Sequence, residues 1–69
     1  MITHKKAFGV YHWDTFDHET ICVAEADTLE KAEAKVQEKY GSRINPNNGA
    51  DQVDIVDQHG RVIRSYKVC

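Results

Sequence analysis

A chain of 69 residues has room for one domain, and a domain that short buries only about 60% of the surface its unfolded chain exposes, so a deep substrate cavity is not expected. Hydrophobic residues at 41% and charged residues at 29% exclude a disordered chain. A net charge of −2, from 9 basic and 11 acidic residues, demotes functions held together by nucleic-acid phosphates, which call for a basic stripe.

No apolar run approaches the roughly 18 residues of a membrane span. The opening Met1 to Lys6 carries charge with no apolar stretch behind it, so no signal peptide is expected. Two cysteines, Cys22 and Cys69, are too few for a secreted disulfide scaffold, which points to a reducing, cytoplasmic setting. Cys22 lies in an apolar strand pattern and reads as a packed thiol. Cys69 is terminal. The alternatives are a 22–69 bridge or an intermolecular disulfide through Cys69.

The predicted elements run β-β-α-β-β over one domain, 1–69. Residues 6–26 read as a hairpin. Lys6 to Trp13 is rich in β-formers, the stretch from Asp14 to His18 is a turn, and Thr20 to Ala26 is the returning strand. Alternation puts Phe8, Val10 and His12 on one face and Ala7, Tyr11 and Trp13 on the other. A helix follows over 28–40, opened by Asp27 as cap with Glu30 three residues on. Leu29, Ala32, Val36 and Tyr40 form one narrow apolar stripe on it, and Gly41 is placed to end it with a left-handed residue. Residues 42–50 hold the only proline and an Asn-Asn-Gly signal, so a mobile loop is expected, pinned at most by Ile44. A second hairpin covers 52–68. Its strands are Gln52 to Asp57 and Arg61 to Val68, its turn residue is Gly60, and alternation groups Val62, Arg64, Tyr66 and Val68 on one side. The simplest packing lays the single helix across one face of a four-stranded, mainly antiparallel sheet. The other face is left partly open.

Four constellations could carry chemistry. His4, His12, His18 and His59 show no zinc-ligand spacing, and His4 is expected in a frayed end, so scattered surface histidines are the simpler reading. Asp14, Asp17 and Glu19 could serve acid–base chemistry, but an exposed hairpin tip shifts carboxylate pKa values little, and Asp is favoured there for turn bonding. Cys22 and His12 lie on neighbouring strands and could pair as an activated thiol, yet nothing supplies an orienting group or an oxyanion hole. No catalytic residue, cofactor or metal is expected.

The fourth is the open face. With Phe8, Val10, Ile21, Val23, Val53 and Ile55 turned to the helix, Tyr11, Trp13, Cys22 and Val56 face outward, and Phe16 sits in the adjoining turn. Exposed aromatic groups beside aliphatic ones are the material of binding hot spots. The acids Asp14, Asp17, Glu19, Asp51, Asp54 and Asp57 would favour a basic partner surface.

The stretch Thr20 to Ala32, followed by Val36 and Tyr40-Gly41, resembles the strand-then-helix pattern of small phage- and plasmid-encoded proteins. DpnD/PcfM-like accessory proteins and several small anti-CRISPR proteins share it. The resemblance covers about 25 residues and implies a mobile-element accessory protein that binds another protein. The reading that results is a small non-catalytic binder or inhibitor, not an enzyme. Its protein partner would meet Tyr11, Trp13, Asp14, Phe16 and Asp17. The alternative is a nucleic-acid binder using Lys5, Lys6, Arg43, Arg61, Arg64 and Lys67. Two open sheet edges also admit a homodimer.

Overall fold

The computed structural model describes residues 4–69. Its elements are β1 (Phe8–Asp14), β2 (Glu19–Ala26), α1 (Leu29–Tyr40), a 3-10 turn (Gly41–Arg43), β3 (Asp51–Val56) and β4 (Val62–Val68). The fold is the expected α+β arrangement, with one helix and one antiparallel sheet. Strand order in the sheet is β2-β1-β3-β4. The two hairpins meet where β1 pairs with β3, so the chain leaving β2 passes through α1 and over β1 before it rejoins the sheet.

The register sorts side chains into rows. Toward the helix lie Ile21–His12–Val53–Tyr66 and Ala24–Val10–Ile55–Arg64. Val10, Val53, Ile55 and Val68 of the sheet are fully buried there against Ala32, Val36 and Tyr40 of α1. The burial stripe on the helix is the expected one, with Leu29 half-buried at its start. Away from the helix lie Thr20–Trp13–Gln52–Lys67, Cys22–Tyr11–Asp54–Ser65 and Glu25–Gly9–Val56–Val62.

Several local expectations are corrected. The helix is capped by Thr28, not Asp27: Thr28 is extended (φ −133°, ψ 158°) and its hydroxyl accepts the Lys31 N–H at 3.1 Å. That shift puts Lys31 at the third helical position, so Glu30 cannot close a capping box. Gly41 is right-handed (φ −42°, ψ −56°) and carries the helix into the 3-10 turn instead of stopping it. The segment beyond is tied down. Ile44 bridges Val68, the Asn45 N–H donates to the Lys67 carbonyl at 2.8 Å, and the Cys69 N–H donates to the Arg43 carbonyl at 2.8 Å. This segment covers the last residues of the β4 edge. Gly60 does adopt the positive φ (82°) expected of it, in a turn where the Asp57 carboxylate accepts the His59 and Arg61 N–H groups.

Two bulges alter the alternation. One falls in β2 at Val23, between the pairs Val10–Ala24 and Tyr11–Cys22. The other falls in β4 at Ile63, between Ile55–Arg64 and Val56–Val62. An extra residue swings the side chain that follows it to the other face. Val62 therefore joins Val56 on the outer face instead of Tyr66 and Val68. His4 is no frayed residue either: it is buried, 8% exposed, against Gly9 on that same outer face.

Candidate functional site

Among the described residues, four large apolar side chains stand in solvent: Trp13 at 41%, Phe16 at 90%, Ile21 at 50% and Val62 at 56% exposure. Three of them, Trp13, Phe16 and Ile21, belong to the turn end of the β1–β2 hairpin. Between Trp13 and Ile21 the sequence also carries Asp14, Asp17 and Glu19, with no lysine or arginine.

The turn that presents Phe16 is held by two carboxylates. Asp14 Oδ1 accepts the N–H groups of Phe16 (2.8 Å) and Asp17 (3.3 Å). Asp51 Oδ1, reaching across from the start of β3, accepts the Thr15 N–H (3.2 Å) and hydroxyl (2.8 Å). His18 completes the reversal with φ 56°, a left-handed conformation that histidine adopts more readily than bulkier residues. The tip is thus held by its own hydrogen bonds, and Phe16 projects from it without packing on the core.

Behind the tip a polar relay runs to the end of α1. Asp51 Oδ2 accepts from His12 Nε2 at 3.0 Å. The imidazole proton of the neutral ring therefore sits on Nε2, and His12 Nδ1 accepts the Tyr40 hydroxyl at 2.9 Å. The His12 and Tyr40 rings meet edge to face, with centroids 5.4 Å apart, and the Arg43 guanidinium lies 5.4 Å over the Tyr40 ring. Burial pushes the Tyr40 hydroxyl above its usual range, which keeps it protonated and able to donate. Both nitrogens of His12 are engaged, so this relay fixes the position of the ring between Asp51 and Tyr40. It joins residues 39 apart in sequence, and neither spacing nor alternation announces it.

The hydrogen bond from His12, aided by those from Thr15, holds the Asp51 carboxyl below its ordinary value. A carboxylate depressed in the folded state contributes stability that is present above the unfolded pKa of about 3.9 and is lost as pH falls through the lower folded value. Glu25 and Asp57 are depressed by backbone N–H donors and act in the same direction. The thermal midpoint should therefore fall below about pH 4. In Asp51→Asn that fall should be shallower and the midpoint at neutral pH lower, as differential scanning fluorimetry across pH 2–7 would show.

The remaining expected residues are placed as follows. Tyr11 and Trp13 do share the outer face, but Tyr11 is half-buried and its hydroxyl is engaged by His4. Between Trp13 and the apolar row Gly9–Val56–Val62 lies a polar row in which Asp54 Oδ1 accepts from Gln52 Nε2 (2.9 Å) and the Ser65 hydroxyl (2.8 Å). Trp13 and Val56 are thus not neighbours, and the outer face is no continuous apolar patch. Asp14 is committed to the turn backbone; Asp17 is exposed at the tip. Ile21, expected toward the helix, does lie on that side, but edge strand β2 leaves it half in solvent, which alternation could not show. Cys22 faces outward opposite Tyr11 while His12 faces the helix, so no thiol–imidazole pair forms. Both cysteines are free, on opposite edges of the sheet. Among the described residues no three His, Cys, Asp or Glu side chains gather as a metal would require.

The basic residues lie on more than one side of the sheet. Arg64 is on the helix side, 3.8 Å from Glu33, and Lys67 is on the outer face. Arg43 donates to the Cys69 carbonyl at 3.0 Å. No helix among the described residues is long and apolar enough to cross a membrane. Comparison of the chain with family models, with curated proteins and with solved structures finds no match.

Proposed function

We propose that this chain is a small non-catalytic binding protein that occludes a partner protein's surface with the tip of its first hairpin. The observation that carries the reading is the concentration of exposed Phe16, Trp13 and Ile21 at one rigid, acidic end of a fold that does not need them for its core. An aromatic side chain held clear of its own protein by a preorganised turn loses little entropy on binding. Phe16 would enter an apolar notch, and Asp17 and Glu19 would meet basic groups around its rim. The strand-then-helix resemblance to phage and plasmid accessory proteins supports the same mode of action, masking by contact.

The test compares affinity capture by tagged wild type and by Phe16→Ala from cells of the native host. A protein retained by the wild type and absent from the Phe16→Ala eluate supports the proposal. Equal recovery on both, or a salt-sensitive shift of short DNA with no protein captured, contradicts it.

A further inference from the structure

The segment His4–Lys6 lies over the outer sheet face in a seat that is built for it. Gly9 forms the floor: a Cβ there would lie 2.5 Å from His4 Nδ1, 2.6 Å from Cγ and 2.9 Å from Cβ, closer than any side chain tolerates. The Tyr11 hydroxyl is the first polar anchor. It accepts the His4 N–H at 3.2 Å and stands 2.8 Å from His4 Nδ1, within hydrogen-bond distance. The rings meet edge to face with centroids 5.6 Å apart. The second anchor is Glu25 on β2, whose Oε1 accepts the Lys5 N–H and, at 3.1 Å, the Lys6 N–H. These two bonds hold the Glu25 carboxyl below its ordinary value.

One feature does not fit a simple core residue. His4 Nε2 is buried with no hydrogen-bond partner among the described residues, whichever tautomer the ring takes, and a buried unmade hydrogen bond is costly. A polar side chain seated snugly yet left unsatisfied is suited to leaving. The segment also lies outside the apolar core, which is on the other side of the sheet.

We infer that His4–Lys6 is a detachable latch, held by its histidine in a Gly9–Tyr11–Glu25 seat, and that the seat is a recognition site for an extended peptide carrying an imidazole. Release bares Tyr11 beside the row Gly9–Val56–Val62, giving the outer face an open and a closed state. This does not rest on the hairpin tip.

Amide hydrogen exchange on full-length protein reads the latch directly. In the wild type the Lys5 and Lys6 amides should be protected. His4→Ala, and separately Gly9→Ala, should speed their exchange roughly ten- to hundredfold while the strand amides keep their protection. A synthetic peptide of residues 1–6 should then bind His4→Ala saturably and restore slow exchange at the strand positions flanking the seat. The same peptide with His4→Ala should not bind. Random-coil exchange at Lys5 and Lys6 in the wild type would overturn the inference. So would unchanged protection in His4→Ala, collapse of that variant's whole fold, which would make His4 a core residue, or failure of the peptide to bind.

Discussion

Replacing Ile55 with alanine should remove most of the stability of this protein. Ile55 is fully buried on β3, an interior strand of the sheet, between Val10 on β1 and Arg64 on β4 and under the helix. Loss of a buried isoleucine side chain costs about 2–5 kcal/mol, from lost transfer energy and the cavity left behind. At roughly 0.05–0.15 kcal/mol per residue, a chain this size has only about 3–10 kcal/mol in total. Among the described residues the buried core is eight side chains, so there is little around the cavity to collapse into it. Urea unfolding should show a midpoint lowered by half or more, or a chain already largely unfolded without denaturant.

Phe16→Ala should do the opposite: leave the fold intact and abolish partner binding. Phe16 is 90% exposed, so its removal takes almost no apolar contact from the folded state, and a surface change of that kind shifts stability by less than about 0.5 kcal/mol. The turn is kept by Asp14 and Asp51, which bond backbone groups and the Thr15 hydroxyl and do not use the phenyl ring. In a complex, an aromatic anchor at the centre of a small interface is worth about 2–4 kcal/mol, or roughly 30- to 1,000-fold in affinity. Trp13 should share the effect with a smaller margin between binding and folding, because more than half of it is already covered. Tyr11→Phe should leave binding at the tip unchanged, since Tyr11, though on the same face as Trp13, is half-buried with its hydroxyl engaged by His4.

Much of the fold was legible because period-two alternation is a strong constraint wherever one face is buried. Val10, Val53 and Ile55 inside, and Tyr11 and Trp13 outside, follow from it directly. The helix was legible for the same kind of reason, from Ala32, Val36 and Tyr40 at steps of four. Alternation fails at Val62, because a bulge at Ile63 resets the count and leaves no mark in composition. The cap was misplaced by one residue because Asp27 and Thr28 are adjacent and both good caps. His4 and the His12–Asp51–Thr15 relay escaped for a deeper reason. The relay depends on β1 lying beside β3, and His4 on a glycine seat whose meaning is visible only once something fills it. At the site, Phe16, Trp13 and Asp17 stand where the turn signal placed them. Asp14 proves to be turn scaffolding, and the exposure of Ile21 could not be read before β2 was known to be an edge.

Hydrogen-exchange footprinting of the complex with the captured partner tests the central claim most directly. Protection should appear across residues 13–21 and nowhere on α1. Protection that falls instead on α1 or along β4, with residues 13–21 exchanging as in the free protein, would contradict it.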